Sequence, residues 1–437
     1  MTLLITGATL PDGTSTDFLV DGGVISELGS GLSARGATVI DAAGLRALPG
    51  LVDLHTHLRE PGFEQSETVL TGSRAAAAGG FTAVHAMANT SPVADTAGVV
   101  EQVASLGEQH GYVTVRPIGA VTVGLAGERL SEIGAMAQSR AAVRVFSDDG
   151  KCVSDALLMR RALEYVKTFG GVIAQHAQEP RLTEGAQMNE GALSSELGLE
   201  GWPAVAEEAI IARDVLLAQH VGARLHVCHL STAGSVEVIR WAKARGIRVT
   251  AEVTPHHLLL DEGLAGSYDA RFKVNPPLRR TEDVLALREA LAEGIIDIVA
   301  TDHAPHPAET KECTWQEASF GMVGLESALS VVQAAVVETG QLTWADVARV
   351  LSRTPAEIGQ LAGYDAPFTV GAPANFTLLD PSARRVFGVE QLRGKGVNSP
   401  YLGRELPGRV VATVHRGVPT VLDGELRAPE EVATGVA

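Results

Sequence analysis

The alternation of hydrophobic and polar positions changes along the chain near residue 49. Before it, short apolar runs such as Asp17–Val20 and Thr38–Ile40 are separated by Asp-Gly turns, and no helical period is present. After it, short apolar runs alternate with longer Ala- and Leu-rich segments. Strand-like runs return at Asn375–Leu379 and Arg409–Val414. The pattern predicts two β-rich chain ends around an α/β middle.

The middle section contains short apolar runs that predict eight buried strands. They lie at 51–54, 81–86, 113–118, 142–146, 172–175, 224–228, 248–253 and 296–300. Helices are predicted at 155–169, 203–221, 233–245 and 281–293, with a last one at 342–361. In the first of these helices, a three-to-four spacing joins Leu157, Leu158, Arg161, Ala162 and Tyr165. Eight strands with intervening helices favour a parallel sheet closed into a (β/α)8 barrel.

We therefore expect an α/β fold, a TIM barrel with a small β-sandwich domain formed from both termini. The expected bounds are 1–48 for the N-terminal part of the β-sandwich, 49–365 for the barrel, and 366–437 for the C-terminal part of the β-sandwich. A chain of 437 residues accommodates one barrel with such an addition.

Composition and charge narrow the classes of partner. Hydrophobic residues make up 45% and charged residues 20%, as in globular proteins. The net charge of −17 and the absence of a basic run speak against nucleic acid and anionic membrane as partners. The N-terminus does not resemble a signal peptide, and no apolar run approaches the ~20 residues of a transmembrane helix. Three dispersed cysteines, Cys152, Cys228 and Cys313, do not suggest a disulfide framework, so we expect a cytoplasmic protein.

Four of the predicted strands end in side chains that bind metals. The first ends in His55 and His57, which are two residues apart and so project to the same face. The fifth ends at His176, the sixth at His229 and the eighth at Asp302. Active sites of such barrels lie at the carboxyl ends of the strands. Four imidazoles and a carboxylate there would suit a zinc-type ion with a position left open for water.

Some of these residues have alternative interpretations. A single histidine at His176 or His229 could equally be a core residue bonded to a backbone carbonyl. Asp148-Asp149-Gly150, after the fourth strand, is either a turn or the source of a carboxylate that joins metal ions. Other histidines, which lie within strands, near helix ends or in the terminal β region, are expected to stay outside the group: His85, His110, His220, His226 and His415.

Several segments together resemble type I dihydroorotases of the amidohydrolase superfamily. They are Leu51–Arg59, Ala88–Thr90, Phe146–Gly150, Asn275–Arg279, Thr301–His306 and Phe320–Glu326. The resemblance extends from about residue 49 to residue 360. It implies a metal-dependent barrel that reversibly hydrolyses (S)-dihydroorotate to N-carbamoyl-L-aspartate in de novo pyrimidine biosynthesis.

The resemblance also implies a metal site with one or two Zn²⁺ ions per subunit. His55, His57 and Asp302 match the ligands of one ion, and His176 and His229 match those of a second. Asp149, which lies 27 residues before His176, matches the carboxylate that bridges the ions. Many ring-opening relatives use a carboxylated lysine as the bridge. Here the fourth strand offers Arg144 and no lysine, and Lys151 lies past its end in a loop.

The family's substrate-binding positions are also present in this chain. They are matched by Arg59, Asn89, Asn275, His306 and the backbone of Phe320 and Gly321. Arg59 offers a planar fork that can hold a substrate carboxylate with two hydrogen bonds. The segment from Pro305 to Gly321 is longer than the roughly 2–6 residues usual between a strand and its helix, so we expect a lid or a pocket-forming loop.

The expected mechanism combines metal activation with a proton carrier. Metal-bound water has a pKa near ~7, so hydroxide is available to attack the ring amide at neutral pH. Asp302 would accept a proton during the attack and deliver it to the departing ring nitrogen, which is typically worth ~10²–10⁴-fold in rate.

Two alternative functions stay open at this stage. Another cyclic amidohydrolase, such as a dihydropyrimidinase, hydantoinase or allantoinase, shares the metal site without needing a carboxylate receptor. A catalytically silent homologue that scaffolds aspartate transcarbamoylase should have lost ligands, and this chain keeps the whole set. The resemblance also leaves open a homodimer and an association with aspartate transcarbamoylase, besides the small-molecule substrate.

Overall fold

The N-terminal part of the chain forms strands, seen in a computed structural model that describes residues 1–364 and 367–429. They are β1 (Leu3–Thr9), β2 (Ser15–Asp21), β3 (Val24–Gly29), β4 (Thr38–Asp41) and β5 (Arg46–Pro49). In β2, Thr16, Phe18 and Val20 are buried while the residues between them are more exposed. Since alternate side chains of a strand share a face, one face of this sheet covers a core.

The middle of the chain forms the barrel. Its strands are β6 (Leu51–Thr56), β7 (Phe81–Ala86), β8 (Thr114–Pro117), β9 (Val145–Phe146), β10 (Val172–Gln175), β11 (Met188–Asn189), β12 (Gly201–Trp202), β13 (Arg224–Val227), β14 (Val249–Val253) and β15 (Ile298–Val299). The short strands β11 and β12 pair only with each other. The others pair in parallel, and bridges between Gly119 and Phe146 and between Thr56 and His303 close the ring. The predicted eight-stranded barrel is therefore confirmed.

Helices follow the barrel strands and cover the outside of the ring. They are α1 (Val69–Ala78), α2 (Ala97–His110), α3 (Ile133–Gln138), α4 (Ala156–Lys167), α5 (Ala192–Leu197), α6 (Val205–Val221), α7 (Ala233–Ala244), α8 (Pro255–Leu259), α9 (Thr281–Ala292), α10 (Ala328–Val332), α11 (Trp344–Ala348) and α12 (Thr354–Gly359). The π-helical stretches Gln333–Val337 and Arg349–Arg353 continue α10 and α11. Within the described ranges, no helix combines the length and the apolarity that crossing a bilayer requires. The predicted helices are confirmed to within a few residues at their ends.

The buried face of α4 matches only part of the predicted spacing, since Ala162 is buried and Leu158 half-buried but the other three residues are not buried. Leu157 is 60% exposed and Tyr165 42% exposed, whereas Met159, Leu163 and Val166 are fully buried. The predicted stripe contained Arg161, whose charge would lose its hydration in the core. The stripe that begins at Met159 is apolar throughout, so it is the one that packs against the barrel.

The C-terminal part returns to the first sheet. Its strands are β16 (Phe376–Val386), β17 (Glu405–His415), β18 (Val418–Leu422) and β19 (Glu425–Leu426). Because β16 pairs antiparallel with β5, both chain ends share one nine-stranded sheet in the order β19-β18-β17-β16-β5-β1-β2-β3, with β4 beside β1. The predicted β domain made from both termini is confirmed. Of the predicted domain bounds, residues 365 and 366 and the final residues 430–437 lie outside the described residues.

Candidate metal centre

Six side chains meet at the carboxyl ends of five barrel strands. His55 lies in β6 and His57 directly after it, and the others follow β9, β10, β13 and β15. All six are at most 6% exposed: His55, His57, Asp149, His176, His229 and Asp302. The sequence-predicted metal ligands are therefore brought together by the fold, because parallel strands of a barrel end at the same rim.

Asp149 lies at the centre of this cluster. Its Oδ1 atom is 3.3 Å from His55 Nε2, 3.3 Å from His176 Nδ1 and 3.5 Å from His229 Nε2. Its Oδ2 atom is 3.3 Å from His57 Nε2. Among the described residues, two groups of potential metal-binding atoms share Asp149, one with His55, His57 and Asp302 and one with His176 and His229.

The cluster leaves buried polar atoms without hydrogen-bond partners. Among the described residues, neither His55 Nε2 nor Asp149 Oδ1 makes a hydrogen bond, although both atoms are inaccessible to solvent. Such atoms are costly to bury unless something satisfies them. Imidazole nitrogens and carboxylate oxygens converging from several strands are the donor set of a zinc-type ion. The residues present therefore fit a bound metal ion.

Three residues of the site have a left-handed backbone conformation. The φ angles of Arg59, His229 and Asp302 are +64°, +33° and +49°. Side chains other than glycine rarely adopt this region, and the cost of doing so is of order 1–3 kcal/mol per residue. Such strain accumulates at functional sites, where it turns side chains towards a common point.

Glu252 in β14 supports the cluster and was missed by the sequence analysis. His55 Nδ1 donates to Glu252 Oε1 at 2.6 Å, which orients the ring so that Nε2 of His55 faces the centre. The same oxygen accepts the backbone N–H of His229 at 3.2 Å, and Oε2 lies 2.9 Å from His226 Nε2. His226 is absent from the ligand groups, as predicted, but it holds the residue that orients His55. A carboxylate inside an apolar strand run was the available signal.

Burial and mutual charge perturb the pKa values of these groups. Burial raises the pKa of Asp302, but the charge of His55 and the hydrogen bond from His57 outweigh it and lower the value to about 2. Burial lowers the pKa of His55, but the carboxylates of Asp149, Glu252 and Asp302 raise it well above its usual value. The three buried carboxylates thus give the centre a demand for positive charge, which a bound cation can meet.

A pocket of about 250 Å³ opens onto the cluster. Its walls contain every residue that sequence analysis proposed for the substrate, namely Arg59, Asn89, Asn275, His306, Phe320 and Gly321. The wall also includes Gly150, Ala304 and four members of the cluster, His57, Asp149, His176 and Asp302. Because His306, Phe320 and Gly321 belong to the long segment Pro305–Gly321, the prediction of a pocket-forming loop is confirmed.

Polar residues of the pocket are linked to the cluster. Asn89 Oδ1 accepts a hydrogen bond from His57 Nδ1 at 2.9 Å, so Asn89 orients a cluster histidine besides lining the wall. Gln178, which sequence analysis missed, links a cluster histidine to the pocket wall. Its Oε1 lies 2.7 Å from His176 Nε2 and accepts a hydrogen bond from Asn275 Nδ2 at 3.1 Å. Contacts of this kind join distant loops, so the local pattern of the sequence contains little signal for them.

Arg59 is the cationic side chain of the pocket wall. Its Nε donates to the carbonyl of Pro305 at 3.3 Å. Within the described ranges, no carboxylate lies within 4.0 Å of its guanidinium. Burial lowers the pKa of Arg59 to about 10, and the group is still charged at neutral pH. The terminal nitrogens are thus available to an anionic ligand.

Other residues considered from the sequence lie outside the site. Asp148 accepts backbone N–H groups of Val121 and Thr122 at 2.7 and 3.0 Å and so fixes a loop. Lys151 is an exposed loop residue, as predicted. Among the described residues, the potential metal-binding groups do not include the remaining histidines that were expected to stay apart: His85, His110, His220 and His415.

Comparison with known proteins places this geometry among related enzymes. Residues 44–235 match the family model described as dihydro-orotase-like. The dihydroorotase of Leifsonia xyli subsp. xyli is 77% identical over 423 residues, which cover 97% of each chain. That of Mycobacterium tuberculosis is 54% identical over 430 residues, covering 98% of this chain and all of the relative.

Solved structures share the fold at lower identity. The L-hydantoinase (dihydropyrimidinase) from Arthrobacter aurescens superposes with a TM-score of 0.86 at 25% identity and covers 97% of each chain. A D-hydantoinase superposes with a TM-score of 0.82 at 20% identity, covering 98% of this chain and 96% of its own. These similarities extend over the barrel and the terminal sheet together.

Proposed function

The chain belongs to the dihydroorotase family, and from that premise we propose how its pocket hydrolyses a cyclic amide. Its activity is that of a dihydroorotase, the reversible hydrolysis of (S)-dihydroorotate to N-carbamoyl-L-aspartate in de novo pyrimidine biosynthesis. The observation that carries the proposed mechanism is the joint placement, in one pocket, of a buried His/Asp cluster and an arginine without a carboxylate partner.

The cluster is a metal site, and we propose zinc as its metal because imidazole nitrogens dominate the donor set. One or two ions per chain would be held, the first by His55, His57 and Asp302, the second by His176 and His229, with Asp149 shared between them. A bound ion would supply a water of lowered pKa and would polarise the scissile carbonyl.

Asp302 is the proposed proton carrier. Its Oδ1 faces His57 Nε2 at 3.1 Å and His55 Nε2 at 3.4 Å, so Oδ2 is the oxygen that remains for proton transfer. Oδ2 accepts a proton as water attacks the ring carbonyl carbon. It returns that proton to the ring nitrogen as the C–N bond breaks, so the carbonyl carbon becomes a carboxyl group and the nitrogen becomes the NH2 of an open-chain carbamoyl group. A positioned carboxyl of this kind is worth about 10²–10⁴-fold in rate.

Arg59 is the proposed receptor for the substrate carboxylate. Its Nη1 and Nη2 atoms can donate two parallel hydrogen bonds to that carboxylate. Asn89, Asn275 and His306 would add neutral contacts around it. The backbone of Phe320 and Gly321 would hold the ring amide, which orients the scissile bond towards the cluster.

The alternative cyclic substrates differ from dihydroorotate in lacking this carboxylate. We therefore expect the purified protein to hydrolyse dihydroorotate and to leave dihydrouracil essentially unchanged under the same conditions. In Arg59→Met, KM for dihydroorotate should rise by about 10²-fold, because a charge-assisted bidentate pair is worth roughly 1.5–3 kcal/mol. Steady-state assays with both substrates measure this.

The matched control is Arg35→Met, which removes an exposed arginine of the terminal domain. It should leave kcat and KM for dihydroorotate unchanged. Preferred turnover of dihydrouracil would instead favour a dihydropyrimidinase. A metal-loaded wild-type protein without turnover on either ring would favour the catalytically silent scaffold.

Location, assembly and domain bounds complete the proposal. A cytoplasmic location agrees with three unpaired cysteines, Cys152, Cys228 and Cys313. A homodimer and a complex with aspartate transcarbamoylase are proposed from the family resemblance, and light scattering of the protein alone and mixed with that enzyme would test them.

We also keep 48/49 and 365/366 as the proposed domain boundaries.

A further inference from the structure

Lys311 is a buried lysine in the long segment Pro305–Gly321, which contributes residues to the pocket. It is 7% exposed, and its three N–H groups donate to three backbone carbonyls. The acceptors are Ser319 at 2.8 Å, Gly321 at 2.9 Å and Lys273 at 3.2 Å. Among the described residues, no carboxylate lies within 4.0 Å of its ammonium group. Burying an ammonium without a counter-charge is costly, so this placement needs a reason beyond surface solvation.

The carbonyl of Gly321 connects Lys311 to the pocket. Gly321 lines the pocket and its N–H donates to the carbonyl of Lys273 at 3.0 Å. Its φ is +140°, and a Cβ there would lie 2.8 Å from His306 Nε2 and 2.9 Å from the Ala304 side chain. The main chain at this point is therefore in close contact with two other residues of the pocket wall. A small displacement of the Gly321 carbonyl would move that wall.

Lys273 holds the preceding part of the same loop. It is 1% exposed, and its Nζ donates to the carbonyls of Trp315 at 2.6 Å and Gln316 at 3.3 Å. The same Nζ lies 4.4 Å from the centre of the Phe320 ring, within the range of a cation–π contact. Lys273 thus holds the loop at Trp315 and Gln316, and Lys311 holds it at Ser319 and Gly321, the two residues that flank Phe320.

We propose that Lys311 is a positioning residue that fixes the main chain of Phe320 and Gly321 against the ring of the substrate, with Lys273 securing the preceding turn. The inference rests on the proposed function, because it assigns a purpose to Lys311 through the ring contacts of Phe320 and Gly321. Lys311 itself does not line the substrate pocket. Its effect on turnover passes through the backbone that it holds.

The pKa of Lys311 agrees with this placement. Burial, followed by the charge of Lys273, lowers it to about 7, while Asp269 and Cys313 raise it. Burial likewise lowers the pKa of Lys273 to about 8. A lysine whose charge is this costly to bury is expected to be retained for the geometry that its three hydrogen bonds impose.

The test compares Lys311→Met with Lys167→Met. Lys167 also donates to a backbone carbonyl, that of Val221 at 2.7 Å, but it is exposed at the end of α4 and does not line the pocket. We expect kcat/KM for dihydroorotate to fall at least about 10-fold in Lys311→Met, because small displacements of positioning groups cost up to about 10²-fold. Bound metal per chain should be unchanged. Amide hydrogen exchange of the 310–321 segment should accelerate, and Lys167→Met should match the wild type in all three measurements.

Lys311→Arg is the rescue variant, since it keeps the charge and several donors. It should recover most of the lost kcat/KM and most of the exchange protection. If Lys311→Met does not fold, Lys273→Met and Lys311→Arg are measured instead, and Lys273→Met should raise KM and accelerate exchange in the same segment.

The inference is overturned if wild-type turnover is present and kcat/KM per folded molecule in Lys311→Met, or in Lys273→Met where that replaces it, equals that of the wild type. A lowered melting temperature with unchanged kinetic constants has the same meaning, since it assigns Lys311 a structural role only. Absence of dihydroorotate turnover in the wild type contradicts the proposed function instead. The hydrogen-exchange comparison then still decides whether Lys311 holds the loop.

Discussion

Asp148 and Asp149 are neighbours in the chain, yet their carboxylates have different environments. Asp148 accepts the backbone N–H groups of Val121 and Thr122, which ties the loop after β8 to the end of β9. Asp149 faces the imidazoles of the cluster and leaves Oδ1 without a hydrogen bond among the described residues. The resemblance to the family favoured Asp149 as the bridging carboxylate. The short distances from its oxygens to the cluster histidines support the same choice independently.

The two aspartates provide a paired test of the metal site. Asp149→Asn should weaken metal binding at least about 10-fold, because a neutral amide replaces a shared anionic ligand. Asp148→Asn should keep the metal but lower the free energy of unfolding by about 1–3 kcal/mol, since buried N–H groups lose a charged acceptor. Metal analysis of the purified variants and chemical denaturation measure the two effects. Unaltered metal content in Asp149→Asn would contradict its role as a shared ligand.

Helix α4 shows what determines which face of a helix is buried. Two overlapping stripes with helical spacing exist in this segment, one through Leu157, Arg161 and Tyr165 and one through Met159 and Val166. The charge of Arg161 keeps the first stripe in water, and the second is buried. Spacing alone was therefore insufficient, because the cost of desolvating one arginine decides between the stripes.

Truncation of each stripe should have very different consequences for stability. Met159→Ala should lower the free energy of unfolding by about 2–5 kcal/mol, because a fully buried side chain leaves a cavity. Leu157→Ala should change it by no more than about 0.5 kcal/mol, since the side chain is 60% exposed. Denaturant titrations of both variants measure the difference. Equal losses in the two variants would mean that the exposed stripe is covered in solution.

The elements of the barrel were predictable because each strand is a separate apolar run with its own turn signals. The convergence of the proposed ligands was predictable for the same reason, since a barrel places the ends of its strands on one rim. Glu252 was not, because its contact with His55 joins residues 197 positions apart. The same applies to the contacts of Gln178 with Asn275 and of Lys311 with the carbonyl of Lys273, which join residues 97 and 38 positions apart. Local periodicity shows which residues share a face of an element, but it gives no information about contacts with residues far away in the sequence.

The terminal sheet joins the barrel at the start of β6, at the opposite end of that strand from the candidate metal site. Strand β5 leads through Gly50 directly into β6, which carries His55. Thr377 and Thr413 of the sheet donate to the carbonyls of Gly80 and Ala77 on the barrel at 2.6 and 2.8 Å. The sheet thus helps fix the start of the strand whose end supplies two of the proposed ligands.

The net charge of the molecule has the same sign as the charge of its substrate. The chain has a net charge of −17, and both dihydroorotate and its hydrolysis product are anions. Long-range attraction is therefore not the source of binding. The positive groups inside the pocket, Arg59 and the proposed metal ions, have to outweigh this field at short range, where screening by solvent is weakest.

Turnover of dihydroorotate by matched protein samples tests the central claim most directly. The samples are wild type with its metal, wild type after metal removal and restoration, Asp302→Asn, and Asp297→Asn, whose aspartate precedes the same strand and pairs with Lys243 at 2.7 Å. We expect activity in the first sample, its loss and return in the second, a loss of at least about 10²-fold in Asp302→Asn, and near-wild-type turnover in Asp297→Asn. Undiminished turnover in Asp302→Asn, or in the metal-free protein, would contradict the account.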